Sequence, residues 1–193
     1  MSQVDERPRA PVEHFERLYT ESQDPWSYET SEYERDKYQR TLDFLPRFTG
    51  RTLEVGCSIG VFTEMLADRA TELVAVDFST AALDRARERL AGHRKIKFEL
   101  RVLPEETPEG PFDTIVCSEV LYYWSPQLVE DGLARLEDAL APSGTLVATH
   151  WRGSDPRREL TGDDVHRILR EHTRLRWEAG ARTSEYLLDR WSG

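Results

Sequence analysis

The chain has 193 residues, a formal net charge of −10 and a pI near 5.1. That size suits one domain with a real core, and the acidic balance argues against nucleic acid as partner or substrate, for which a basic face is expected. No apolar run is long enough for a membrane helix, Met1–Pro11 lacks the apolar centre of a signal peptide, and Cys57 and Cys117 carry neither a disulfide framework nor a metal spacing, so the expectation is a cytoplasmic protein without membrane contact or metal.

Met1 to Pro11 is predicted to be disordered, with charge, two prolines and no periodicity. A short helix is expected over Glu13 to Tyr19, then an aromatic turn at Asp24-Pro25-Trp26-Ser27-Tyr28. Ser31 reads as an N-cap with Glu34 completing a capping box, opening a helix that runs to about Leu45 and stops at Pro46. From Thr52 strand and helix alternate. Strands are predicted at Thr52–Val55, Leu73–Val76, Ile96–Arg101, Phe112–Cys117 and Thr145–Thr149. Helices are predicted from Ser58 to about Arg69, from the Ser79 cap to about Leu90, and over Gln127 to Leu140, with a turn at Pro142-Ser143-Gly144. Alternation of this kind implies a parallel sheet with helices on both faces. A further helix from Thr161 to Arg170 is followed by two closing strands, Arg174–Glu178 and Glu185–Arg190, joined through Ala179-Gly180. The mixed run Arg85-Ala86-Arg87-Glu88-Arg89 reads as a solvated helix face with ion pairs.

The chemistry concentrates at Glu54-Val55-Gly56-Cys57-Ser58-Ile59-Gly60 and at Asp77. A glycine turn after a buried strand lets a ligand approach the backbone, and an acid at the end of the next strand is placed to bind a ribose diol. Together they describe half of a nucleoside-cofactor site. A dinucleotide turn wants a second glycine where the pyrophosphate passes; here that position is Ser58, and no P-loop lysine is present. What remains is an E-x-G-x-x-x-G turn with Glu54 inside the first strand. That turn resembles class I S-adenosylmethionine methyltransferases, and carboxylates suit a cationic cofactor without phosphate.

Further segments narrow the resemblance. Asp24-Pro25-Trp26, Tyr33-Glu34-Arg35, Ser118-Glu119-Val120-Leu121-Tyr122-Tyr123, His150-Trp151-Arg152-Gly153, Thr161-Gly162-Asp163-Asp164-Val165-His166 and Tyr186-Leu187-Leu188-Asp189 make the chain similar to the NodS-like methyltransferases nearly throughout from Asp24. These are relatives of rhizobial nodulation protein S, which N-methylates the free amine of a deacetylated chitooligosaccharide. The resemblance implies a Rossmann-like α/β fold with a mostly parallel seven-stranded sheet and an antiparallel C-terminal hairpin. It implies N-terminal tail and lid helices over 1–46 and a cofactor-binding core over 47–193, together one domain. The expected activity is methyl transfer from S-adenosylmethionine to an amine of a small molecule, an aminosugar or another secondary metabolite, giving S-adenosylhomocysteine.

The site residues follow from the same resemblance. Gly56, Cys57, Ser58 and Gly60, with Glu54, are expected around the methionine part of the cofactor, Asp77 on the ribose, and Phe78 along the adenine. Related enzymes often carry an acid after the third strand; here Val102-Leu103 stands there, and Leu103 supplies an apolar contact instead. Trp26 reads either as a cover over the cofactor or as packing on the sheet edge. Arg35 is expected against the cofactor carboxylate, where a guanidinium fork suits bidentate pairing. Ser118 and Glu119 follow the fourth strand on the ligand-binding edge, with Glu119, Tyr122 and Tyr123 facing the acceptor and Trp151 beside it. His150 is a candidate proton acceptor, and His166 a further pocket contributor. An O-methyltransferase and a non-catalytic cofactor-binding partner remain as alternatives; a nicotinamide oxidoreductase is disfavoured by the turn. The methyl acceptor and the oligomeric state are written in no motif.

Overall fold

A computed structural model describes residues 12–193; the segment expected to be disordered, 1–11, lies outside the described residues. The elements run α1 (Val12–Glu21), α2 (Glu32–Phe44), β1 (Gly50–Val55), α3 (Val61–Ala67), β2 (Ala70–Asp77), α4 (Thr80–Arg89), β3 (Ile96–Leu100) and β4 (Phe112–Ser118). A one-turn 3-10 helix at Leu121–Tyr123 leads to α5 (Pro126–Asp138), β5 (Leu140–Trp151), α6 (Gly162–His172), β6 (Arg176–Arg182) and β7 (Tyr186–Ser192).

The seven strands form one sheet in the order β3-β2-β1-β4-β5-β7-β6. The first five strands pair in parallel, whereas β7 runs antiparallel to both β5 and β6. The apolar runs in β1, β2 and β4 are buried because helices cover both faces of the sheet. Strand order reverses between β1 and β4, with Val55 level with Val76 on one side and Cys117 on the other. Cys57 and Cys117 are buried free thiols.

Helix starts follow the hydroxyl caps: Ser31, Ser79, Ser125 and Thr161 each accept a backbone N–H of the first turn. The box expected at Ser31 is half made, because the Glu34 carboxylate turns to Lys37. A complete box stands instead at Thr161 and Asp164.

Three boundaries differ from expectation for physical reasons. The helix expected from Ser58 begins at Val61, because Ser58 and Gly60 have φ of 52° and 81°, outside helical space. The turn expected at Pro142-Ser143-Gly144 lies within β5, whose pairing with β4 absorbs it as a register shift. Ala179-Gly180 is strand, not turn. A Cβ on Gly180 would lie 2.4 Å from Asp189 Oδ1, so this glycine admits a carboxylate from the neighbouring strand, and the chain reverses beyond Arg182.

The arginines of α4 do more than face water. Arg87 pairs with Asp84 at 2.9 Å, but Arg85 donates to the carbonyls of Ser22 and Gln23 and Arg89 pairs with Glu29. With Glu16 accepting from the Ala81 N–H at 3.2 Å, they tie the N-terminal segment over the carboxyl end of the sheet. Among the described residues no helix is long and apolar enough to cross a membrane.

Candidate active site

A cavity of about 1070 Å³, open mouth included, lies at the carboxyl ends of β1, β2 and β4, where the strand order reverses. Loops leave such a point toward opposite faces of the sheet, and a crevice remains between them. Its floor is local sequence. Gly56 leaves β1 with φ 76°, and a Cβ there would stand 3.0 Å from Val120 Cγ2. The loop after β1 therefore passes tightly under the loop after β4, as only glycine allows. Ser58 donates its N–H to Asp77 Oδ2 at 2.9 Å and Ser79 donates to Oδ1 at 2.9 Å, so the acid of β2 ties the glycine turn to α4. Burial pushes the Asp77 carboxyl up to about 6, against the pull of those N–H groups.

Glu54 lies deeper and is 2 % exposed. Burial pushes its carboxyl up to about 8, and Oε2 has no partner. Ser118 Oγ is likewise buried and unpaired, and both residues line the cavity. Buried polar atoms in native proteins are rarely left unpaired, and these two mark what a ligand completes. An unpaired carboxylate calls for a donor with positive charge.

Of the expected cofactor residues, Trp26, Glu54, Gly56, Cys57, Ser58, Asp77, Phe78, Leu103 and Ser118 line this cavity. Two do not. Gly60 packs inside, where a Cβ would meet Ala86 at 3.1 Å; it lets α3 approach α4. Arg35 is exposed on α2. It flanks the buried stripe of Lys37, Tyr38, Thr41 and Leu42 and lines neither this cavity nor its neighbour. The guanidinium that does line the cavity is Arg101, paired to Glu99 at 2.9 Å. Sequence reasoning expected the N-terminal helix α1 but singled out neither Phe15 nor Tyr19 on it. Phe15 lies 4.8 Å from Tyr123 and 5.4 Å from Phe78 between ring centroids, and Tyr19 Oη is 2.7 Å from Ser58 Oγ.

A second cavity adjoins the first and shares Trp26, Tyr28, Glu119 and Tyr123 with it. Tyr122 and Trp151, expected to face the acceptor, line it together with Tyr33, Glu34, Lys37 and residues 154–158. Glu119 has φ 58°, a strained conformation for a glutamate. Its carboxylate is held from three sides: Lys37 Nζ at 2.7 Å, the Trp151 N–H at 3.1 Å, and the Tyr122 hydroxyl. Lys37 is 1 % exposed and also reaches Glu34 at 3.0 Å. Burial disfavours its charge, but Glu119 and Glu34 outweigh that and raise its pKa. The ammonium beside Glu119 is thus the chain's own. A lysine in the apolar stripe of α2 was the sequence signal for it.

His150 does not face either cavity. It is completely buried, its Nε2 accepts the Leu121 N–H at 3.2 Å, and its Nδ1 lies 3.2 Å from His166 Nε2. His166 Nδ1 in turn lies 2.7 Å from Asp189 Oδ2. The acceptor role of His150 Nε2 leaves its proton on Nδ1, directed to His166, whose own Nδ1 proton goes to Asp189. Burial, then His166, Lys37 and Arg158, push the His150 pKa well below its usual value. Both ring nitrogens are engaged, Nε2 on the loop after β4 and Nδ1 on His166, so this histidine is not positioned as a base, and His166 belongs to the same buried relay. Among the described residues no cluster of three or more His, Cys, Asp or Glu is placed to hold a metal ion.

Comparison with known proteins agrees with this architecture. The family model described as nodulation protein S (NodS) matches residues 10–159. Nodulation protein S of Bradyrhizobium diazoefficiens is 35 % identical over 127 residues, 64 % of this chain and 61 % of that protein. That of Rhizobium tropici is 35 % identical over 156 residues, 77 % of this chain and 65 % of the other. The chain therefore spans a little under two thirds of the length of these relatives. Among solved structures, N-methyltransferase NodS from Bradyrhizobium japonicum WM9 in complex with S-adenosylhomocysteine superposes with a TM-score of 0.83 at 25 % identity, covering 94 % of this chain and 97 % of that one. With a matching family model over most of its length and a fold that superposes on NodS nearly throughout, this chain belongs to the nodulation protein S family.

Proposed function

We propose that the chain transfers a methyl group from S-adenosylmethionine to an amine of a small molecule. The carrying observation is the unpaired, buried Glu54 Oε2 facing a cavity that also holds Asp77 and lacks the glycine a pyrophosphate needs. A cation with a ribose and no phosphate fits that set; the S-adenosylhomocysteine held by the related NodS supports the same reading.

S-adenosylmethionine, when bound, supplies an electrophilic methyl on a sulfonium. The chain's residues do the rest. Glu54 and the turn Gly56-Cys57-Ser58 hold the methionine part, Asp77 accepts from the ribose hydroxyls, and Phe78 and Leu103 flank the base. Trp26 and the α1 aromatics keep water out. Glu119 stands at the junction of the two cavities. Its carboxylate accepts an N–H of the acceptor amine, orients the lone pair, and takes the proton the nitrogen gives up. Positioning of this kind supplies about 7–11 kcal/mol of barrier reduction where geometry is enforced. An alcohol is a far weaker nucleophile and needs a stronger base. The described residues lining the acceptor cavity include no histidine, which favours nitrogen over oxygen as the acceptor atom. Aminosugars and other secondary-metabolite amines are the acceptors to screen.

The test is calorimetric titration with S-adenosylmethionine, S-adenosylhomocysteine and NAD. Both sulfur nucleosides bind and NAD does not; Asp77→Ala weakens both by about 10–100-fold, the worth of hydrogen bonds to a charged group. No binding of either sulfur nucleoside at millimolar concentration overturns the reading.

A further inference from the structure

The charges around the second cavity do not pair off evenly. Asp155 is claimed by Arg157, whose Nε and Nη2 lie 2.9 and 2.7 Å from its two oxygens and whose N–H donates at 3.0 Å. Glu34 and Glu119 share one ammonium, Lys37. That leaves one carboxylate in excess at the Lys37 cluster and one guanidinium in excess, Arg158.

Arg158 is 9 % exposed in its side chain, and its guanidinium lies 4.1 Å over the Tyr122 ring, with the rings of Tyr123 and Trp151 each at 5.2 Å. Three aromatic faces hold it by cation–π attraction, which satisfies no N–H. Nε and Nη1 are buried without an acceptor, and Nη2 reaches Asp155 only at 3.6 Å, beyond hydrogen-bond length. A buried guanidinium with open donors is costly unless an acceptor completes it, and its planar fork matches a carboxylate. Tyr122 links the two unbalanced groups: its hydroxyl donates to Glu119 and its ring face carries Arg158. One phenol side chain separates the excess negative end of the cavity from its excess positive end.

We infer that Arg158 selects the acceptor: the amine methylated here also bears a carboxylate, which pairs with the Arg158 fork while the nitrogen sits at Glu119. An amino acid and an acidic aminosugar both carry that chemistry; a neutral aminosugar does not. The inference rests on the methyltransferase reading of the site and assigns Arg158 to specificity rather than to the methyl-transfer step.

The experiment is titration of the protein–S-adenosylhomocysteine complex with matched probes: glycine, glutamate, lysine and phenylalanine, each against its carboxamide, and glucosaminic acid against glucosamine. At least one carboxylate probe binds about 10–100-fold tighter than its neutral partner, the range expected for a charge-assisted pair. Amino-acid and aminosugar arms tell the two sources apart. In Arg158→Gln the preference disappears while S-adenosylhomocysteine affinity and the thermal midpoint hold; Arg158→Lys, which keeps charge but not the fork, restores part of it. Equal binding of acid and neutral partner, failure of every carboxylate probe, or a preference that survives Arg158→Gln overturns the inference. Failure of S-adenosylhomocysteine itself to bind falls on the methyltransferase reading instead.

Discussion

The two adjoining cavities share four residues yet treat charge in opposite ways. On the cofactor side no cation neutralises the acids: Glu54 Oε2 has no partner, Asp77 is held only by backbone N–H groups, and burial lifts Glu54 to about 8 and Asp77 to about 6. On the side proposed for the acceptor, Glu119 is already bound by Lys37, Tyr122 and the Trp151 amide. The first arrangement is completed by a ligand that brings its own cation; the second holds a carboxylate aimed before any ligand arrives. Preorganised charge is what a site needs where a reaction occurs, whereas open acids are what a site needs where a cation is to be captured.

The largest test of that contrast is Lys37→Met. It leaves Glu34 and Glu119 buried side by side without their cation, and it should cost about 3–5 kcal/mol of stability. Urea denaturation reads it; a midpoint within error of the parent would show that the cluster does not depend on its lysine. His150→Gln comes next. Breaking the relay to His166 and Asp189 should cost about 1–3 kcal/mol, the penalty for an unmet buried group, while the pH profile of kcat keeps its shape. Disappearance of a neutral-pH limb from that profile would make the histidine a base after all.

A smaller effect separates the acids on the cofactor side. Ligand capture needs Glu54 ionised, so affinity for S-adenosylhomocysteine should rise with pH toward 8 and level off above it, by at most about tenfold per pH unit. Glu54→Gln should flatten that dependence. Stability of the ligand-free protein runs the other way. A carboxyl whose folded pKa is raised holds its proton more tightly in the fold, so stability is lost as pH rises from about 4.5 to about 8 for Glu54, and from about 4 to about 6 for Asp77. A calorimetric pH series that is flat in the parent as well as in Glu54→Gln would mean Glu54 is already ionised. The smallest effect is Tyr122→Phe, which removes one of the bonds on Glu119. About tenfold lower kcat/KM for an amine acceptor is expected, with cofactor affinity unchanged; an equal loss in cofactor affinity would show that the two cavities are not separable.

Much of the cofactor half was legible in the chain. A strand, a glycine turn and a strand-end acid lie within 24 residues of one another, from Glu54 to Asp77, and backbone rules alone bring such neighbours together. Gly60 and Arg35 were misplaced because spacing along the chain does not show what packs around a residue: Gly60 faces α4, and Arg35 stays exposed on α2. The acceptor half was legible only in part. Tyr122, Tyr123, Glu119 and Trp151 could be assigned to one rim because each follows a strand end. Nothing local showed that Lys37 on α2 would reach Glu119, 82 positions away, or that Arg158 would settle on the ring of Tyr122. His150 shows the same limit from the other side. Its place at the end of β5 suggested a base, but β7 enters antiparallel beside β5 and puts Asp189 on His166.

The sequence by itself determined the alternation of strands and helices, the turn after β1 and the acid that ends β2, because short-range sterics, capping and hydrophobic period act between near neighbours. The tertiary structure decided which charges are paired and which are left open. That outcome depends on desolvation and on contacts between α2, the loop after β4 and the segment after β5, and these exist only once the chain has folded.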